Sequence, residues 1–281
     1  MEIIMRKIKI VTDSSSDVLS VGYEHFASAP LKIITSEREF TDNAELDVSE
    51  MVSYLSSYKG KSQTSCPNTN DWLTAFGDAD DVFCITITSG LSGSYNSACV
   101  AKRIYEENPD KRVFVIDSLS TGPEMYLIIE KLREYIASGL AFEEICEKIS
   151  EYQKNTGLFF VLKSVRNLAN NGRVSSILAK IIGIAGICIV GKASDVGTLE
   201  TIHKCRGEAK AIETVFAELE KSGLKDGKVS IGHCQNETAA NNLKSLIEKK
   251  YKNARVEIHS LRALCSFYAE RGGLLVGFEK I

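Results

Sequence analysis

The stretch Asp81–Thr88, DVFCITIT, decides the fold. Its apolar and β-branched content is nearly continuous, which fits a parallel strand covered on both faces. The next residues, SGLSGSYNSACVAKRIYEE, begin a helix, and RVFVIDS at Arg112–Ser118 returns as a further strand. A strand, a helix and a second strand in this order predict a βαβ unit. Working back toward the start, IKIV at Ile8–Val11 reads as a first strand and LKIIT at Leu31–Thr35 as another, with a weak helix expected around Tyr23–Phe26 between them. Apolar spacing at Met51, Val52 and Leu55 predicts a helix opened by Asp47. SQTSCPNTNDW reads as a loop closed by Pro67, with Asn68 or Thr69 capping a helix that carries Trp72, Leu73 and Phe76. Two more helices follow Ser118, the second running from Phe142 to about Asn155.

After Gly157 the pattern changes. LFFVL is a strand, and KSVRNLANNGRVSSILAKIIGIAG predicts a helix, a turn at Asn170–Gly172 and a second helix. Paired short strands follow in ICIVGKASDVGTLETIHKCRG, then helices and strands in alternation to a final GGLLVGFE. The expectation is α/β overall: a parallel α/β sheet domain over residues 1–156, then an α+β domain over 157–281 with a short junction.

Composition bounds the rest. The chain has 281 residues, 44% of them apolar, enough to bury a large core. A formal net charge of -3 argues against a nucleic-acid partner, whose phosphates call for a basic face. Eight cysteines without a CxxC pair read as free thiols in a reducing compartment. Lys7 and Lys9 flank the first strand rather than a leader, and the apolar run Ile177–Val190 is interrupted by Lys180 and is too short to span a bilayer. These features predict a cytoplasmic protein without stable membrane insertion.

Small polar residues collect where the strands of a parallel sheet end, the side on which ligands bind. Four segments place them there: Asp13–Ser16, Thr64–Ser65, Thr88–Ser94 and Asp117–Thr121. Ser14, Ser15 and Ser16 read either as helix caps or as part of a ligand rim, and Asp13 as an acceptor of backbone N–H groups in a turn. Gly90 and Gly93 would let the turn before the helix approach a ligand closely, and the helix start offers unpaired N–H groups to an anion. Ser92, Gly93 and Ser94 are therefore candidates, with Thr64 and Ser65 beside them. Arg173, after the Asn170–Gly172 turn, is either a solvated charge or a fork able to grip a carboxylate. Ile177, Leu178, Ile181, Ile182, Ile184 and Ile187 read as core or as the wall of an apolar tunnel.

Recognisable catalytic machinery is absent from the pattern. The histidines His25, His203, His233 and His259 form no HExxH, and no GxSxG elbow, P-loop or GxGxxG occurs. Hydroxyls and an arginine without an evident base suit binding better than catalysis, with no metal or cofactor expected. The alternatives are a serine-dependent acyl or phosphate ester hydrolase built on Ser92 or Ser94, and a non-catalytic regulatory protein.

The motifs IVTDSSSDV (10–18), KSQTSCPNTNDW (61–72), ITSGLSGSYNSA (87–98), VFVIDS (113–118), NNGRVSS (170–176) and HKCRGEAKAI (203–212) occur in one order across nearly the whole chain. Together they resemble the DegV family of bacterial fatty-acid-binding proteins. That resemblance implies a long-chain fatty acid held between two domains, its carboxylate at a threonine matching Thr64 and a serine matching Ser92, with Arg173 as the loop arginine. It also implies a partner: a separate ATP-dependent fatty acid kinase that makes acyl-phosphate for phospholipid synthesis, the carrier itself doing no chemistry. Two departures stand out. Cys66 replaces a glutamine in the threonine–serine–glutamine–proline run. Tyr268 aligns with a histidine, and Glu270, Arg271 and Gly272 replace the Gly-Pro-Gly that follows it. Tyr268 can donate a hydrogen bond but cannot take up a proton near neutral pH.

Overall fold

The computed structural model describes residues 6–174 and 186–280. The stretch that opened the sequence reading forms β6 (Asp81–Thr86), and every residue of it is buried. It lies inside a four-stranded, all-parallel sheet ordered β2-β1-β6-β7, where β1 is Ile8–Asp13, β2 Phe26–Ala29 and β7 Arg112–Asp117. The side-chain alternation of a strand sorts β6 into two cores. Val82 and Cys84 pack with Trp72 and Phe76 of α2 (Thr69–Phe76) and Ala98 and Ala101 of α3 (Ser94–Tyr105). Phe83 and Ile85 pack with Met125, Ile128 and Leu132 of α4 (Pro123–Ala137) and with Ile145 and Ile149 of α5 (Phe142–Gln153). Both faces are covered, as a near-continuous apolar strand requires.

Local chemistry sets the helix starts. The Asn68 side chain accepts from the N–H groups of Asn70 and Asp71, at 2.8 and 3.1 Å, and the Asp71 carboxylate accepts in return from the Asn68 N–H at 2.8 Å. This reciprocal pair satisfies donors that the first helical turn leaves open. The Asp47 side chain caps α1 (Val48–Ser57) by accepting from the Glu50 N–H at 3.0 Å.

Three expectations in this half need correction. No helix forms around Tyr23–Phe26; Phe26 instead opens β2, an edge strand of the parallel sheet. Pro30 then breaks the chain from the sheet, since it lacks an N–H. The strand at Leu31–Thr35 exists as β3 (Lys32–Ile34), but it belongs to a separate antiparallel sheet ordered β4-β3-β5, with β4 at Glu39–Thr41 and β5 at Gln63–Ser65. Residues 63–65, read as loop, therefore form a short strand.

The second domain is built on a six-stranded sheet ordered β10-β9-β8-β13-β11-β12. These strands are β8 (Thr156–Leu162), β9 (Ile187–Ala193), β10 (Leu199–Arg206), β11 (Lys228–His233), β12 (Arg255–Ser260) and β13 (Leu274–Glu279). Only β11 and β12 pair in parallel. One face is closed by α7 (Glu208–Lys221) and α8 (Glu237–Lys250) over Phe159, Val161, Val190 and Val276. The opposite face of β8 carries Leu158, Phe160 and Leu162, turned toward the first domain, α1 and α9 (Ala263–Ala269). Before the undescribed segment the chain forms α6 (Arg166–Asn170). The second helix expected there, with Ile177, Leu178, Ile181, Ile182 and Ile184, lies outside the described residues. Ile187 is half-buried at the start of β9. All eight cysteines are free, five of them buried. Among the described residues no helix is long and apolar enough to cross a membrane.

Candidate ligand site between the domains

The carboxyl ends of β1 and β6 each run into a hydroxyl-rich turn, and the two turns have different fates. Asp13 is wholly buried and holds the first turn together. Its carboxylate accepts from the Ser15 N–H at 3.2 Å, from the Ser15 hydroxyl, from the Ile87 N–H at 2.9 Å and from the Ser94 hydroxyl at 2.6 Å. Burial pushes its pKa up while these donors pull it back. Ser14, Ser15 and Ser16 form a short 3-10 turn with no exposure to solvent. The turn is a joint rather than a rim. The Ser15 carbonyl receives the Gly122 N–H at 2.7 Å, and the Asp17 carboxyl receives the Arg262 N–H at 2.7 Å. Arg262 in turn reaches Asp42 at 3.1 Å. Three parts of the chain thereby fix the start of α9.

The second turn faces a cavity. Leu91, Ser92 and Gly93 line it, with Ile87 beneath them. Gly93 caps α3 without a side-chain acceptor, and the Ser92 hydroxyl accepts from the Ser94 N–H at 3.2 Å. The helix start thus presents N–H groups and a hydroxyl at the polar end of the cavity, an arrangement that favours an anion.

Thr64 reaches the same end from β5. Strand alternation turns Thr64 inward, while Ser65 points away and donates to the Cys66 carbonyl at 3.3 Å. The Thr64 hydroxyl lies 2.8 Å from the Tyr268 hydroxyl of α9. Burial pushes the Tyr268 phenol above its ordinary value, and the bond to Thr64 and the nearby charge of Arg173 ease that shift. The phenol stays neutral, able to donate at any physiological pH. Arg173 also lines the cavity; its Nε donates to the Leu91 carbonyl at 3.3 Å and its Nη1 to the Asn171 carbonyl.

Of the residues singled out from sequence, Thr64, Ser92, Gly93, Arg173 and Tyr268 converge on one cavity, and Ser65 and Ser94 do not line it. Ser94 is buried with its hydroxyl committed to Asp13. Away from the polar end the wall is apolar: Leu158, Phe160 and Leu162 from β8, Leu168 from α6, Leu199 from β10 and Leu275 from β13. These were missed. The unbroken apolar run LFFVL carries the signal for β8: both faces of the strand are apolar, so the face turned from α7 has to meet a second apolar surface. Cys66 and Cys265 line the cavity as thiols whose pKa burial raises. The lining includes no histidine, aspartate, glutamate or lysine among the described residues.

A search of family models matches residues 7–280 to the one described as "Uncharacterised protein, DegV family". The chain belongs to the DegV family. A DegV domain-containing protein of Streptococcus gordonii is 41% identical over 276 residues, covering 96% of this chain and 98% of that protein. Two crystal structures superpose closely. A DegV family protein from Eubacterium eligens loaded with heptadecanoic acid is 43% identical with a TM-score of 0.95, covering 98% of this chain and 100% of that one. The Fatty Acid Kinase (Fak) B3 protein of Streptococcus pneumoniae loaded with linoleic acid is 41% identical with a TM-score of 0.96, at the same coverage. The DegV arrangement of a parallel-sheet domain followed by a mixed-sheet domain is the fold expected from the sequence.

Proposed function

We propose that this DegV protein binds a long-chain fatty acid between its two domains and presents the carboxylate to a separate acyl kinase. The observation that carries the reading is a single cavity with an apolar wall and one polar end, in a chain whose fold is shared with proteins loaded with heptadecanoic and linoleic acid. Leucines of β8 and neighbouring elements receive the acyl chain, and each buried methylene contributes about 0.8 kcal/mol. A carboxylate brought into such a slot needs donors, since a bare buried charge is heavily penalised. Thr64, Ser92, Gly93, Arg173 and Tyr268 supply them. We place the division between the domains at residues 156–157, the working compartment in the cytoplasm, and the partner among ATP-dependent fatty acid kinases, as the S. pneumoniae relative is named.

Ser92 has no general base at the cavity among the described residues, so the hydrolase alternative gains no support from the geometry. The carrier reading is tested by denaturing extraction of the purified protein followed by mass spectrometry, and by titration with a labelled fatty acid. One equivalent of acid, recovered or bound, is expected. A protein that is empty and refuses the acid overturns the reading. For the kinase, acyl-phosphate should form only when the loaded protein, an acyl kinase and ATP are mixed.

A further inference from the structure

The polar end of the cavity is assembled from both domains, so something must hold their relative placement. The Thr88 hydroxyl donates to the Gly197 carbonyl at 2.9 Å. Gly197 belongs to the hairpin between β9 and β10, a turn closed on itself by the Gly197 N–H to the Ser194 carbonyl and the Ser194 N–H to the Thr198 carbonyl, both at 2.8 Å. The tip is buried at Gly197, although Val196 beside it is 70% exposed. Gly197 has φ +72°, and a Cβ there would lie 1.9 Å from Thr88 Oγ1 and 3.1 Å from Leu119 Cα. A Cβ on Gly90 would lie 3.0 Å from the Val196 and Gly197 carbonyl oxygens. Two glycines, one in each domain, thus let the backbones touch: a Cβ at Gly197 would clash outright, and one at Gly90 would crowd the hairpin carbonyls.

Thr88 is 1% exposed and uses all of its hydrogen-bonding groups. Its N–H donates to the Ser120 carbonyl at 2.9 Å, and its carbonyl accepts from Leu91 and Ser92 at 3.3 and 3.2 Å. Its hydroxyl also accepts from the Gly90 N–H at 3.1 Å. The side chain that grips the hairpin therefore also closes the turn that delivers Ser92 and Gly93 to the cavity. The same hairpin starts β10, whose Leu199 forms part of the apolar wall.

We infer that Thr88, gripping Gly197, is a positioning residue that sets the carboxylate-binding geometry of the Leu91–Gly93 turn and hence the preference for an acid headgroup over a neutral one. Thr88 does not line the cavity, so it acts through the turn. The inference rests on the fatty-acid reading. An acid and the alcohol of equal chain length bury the same methylenes, and the anion depends far more heavily on correctly placed donors.

The test is titration of wild type, Thr88→Val, Thr88→Ser and Gly197→Ala with oleic acid and with oleyl alcohol. Wild type should prefer the acid at least tenfold. If it binds neither, or shows no preference, the fatty-acid reading itself fails. If that preference is present, Thr88→Val should weaken acid binding about fivefold to tenfold, the scale of one hydrogen bond, with the alcohol unchanged within about twofold. Thr88→Ser should restore the wild-type ratio. Gly197→Ala, which forces the hairpin off Thr88, should lower the ratio in the same way and decides the matter if Thr88→Val does not fold. A wild-type acid-to-alcohol ratio in folded Thr88→Val or Gly197→Ala, or equal losses for both ligands, overturns the inference.

Discussion

Two turns, each with three serines, sit side by side at the ends of β1 and β6. In Asp13–Asp17 the polar groups face inward, and Asp13 through Ser16 have no solvent exposure. In Thr88–Ser94 only the two ends, Thr88 and Ser94, are fully committed to the fold, while Leu91, Ser92 and Gly93 open onto the cavity. The difference lies in what each turn meets. The first is capped by the start of α9 and by Gly122, which use its carbonyls and carboxyls. The second has the space between the domains in front of it. Hydroxyl-rich turns at strand ends are equally suited to joining elements and to holding ligands, and tertiary surroundings choose between the two.

The largest effect should come from breaking the joint. Asp13→Ala leaves the Ile87 N–H and the Ser94 and Ser15 hydroxyls without their carboxylate acceptor in a buried site. Each unsatisfied buried group costs about 1–3 kcal/mol, so a loss of at least about 3 kcal/mol is expected in urea denaturation. A loss below about 1 kcal/mol would mean that the turn is no joint. Next is Arg173→Ala, the strongest test of the cavity side. Removing a charged donor from a carboxylate should weaken fatty-acid binding about tenfold to a hundredfold with the fold intact, as measured by titration and circular dichroism. Unchanged affinity would remove Arg173 from the site.

The joint should also be visible in pH. Burial holds the Asp17 carboxyl at about 8, against the backbone N–H of Arg262, which favours the ionised form. In the unfolded chain the same group ionises in the ordinary carboxylate range. A folded pKa above the unfolded one gives stability that is complete below the unfolded value and is lost as pH rises through about 8. The slope approaches about 1.4 kcal/mol per pH unit inside that window. Asp13 and Asp42 are shifted upward as well, so the comparison must isolate one group. Asp17→Asn keeps the acceptor for Arg262 and removes the titration. Its urea midpoint should fall less steeply than wild type between about pH 5 and pH 8, and parallel slopes would refute the assignment.

Much of this architecture is legible in the residues. The buried run Asp81–Thr88 announces a parallel strand, and Asp47 and Asn68 announce their helices, because strand burial and capping are local properties. The weak helix expected at Tyr23–Phe26 gives way to a strand. The partner that draws Phe26–Ala29 into a sheet is β1, and a neighbour in space has no signature in the segment itself. The same limit governs the site. Thr64, Ser92 and Arg173 are recognisable through the order of several motifs. Ser94 and Ser65 share their composition, and only the direction of each side chain separates them from the cavity. The apolar wall of β8 was hidden differently: Leu158, Phe160 and Leu162 look like any core strand, and only the meeting of two domains leaves one face beside a cavity.

The finest discrimination between joint and site lies within one turn, two residues apart. Ser92→Ala removes a hydroxyl that faces the cavity; Ser94→Ala removes one that donates to Asp13 at 2.6 Å. The first change should weaken fatty-acid binding about fivefold to tenfold and shift the urea midpoint little, since its hydroxyl accepts only a peripheral N–H at 3.2 Å. The second should cost about 1–2 kcal/mol of stability, because it strips a donor from a buried carboxyl, with affinity nearly unchanged once the protein is folded. Measured together, the two variants form a crossed pattern, one moving affinity and the other moving stability. If both move the same property, the turn is a single mechanical unit and the division drawn between its buried and cavity-facing halves is wrong.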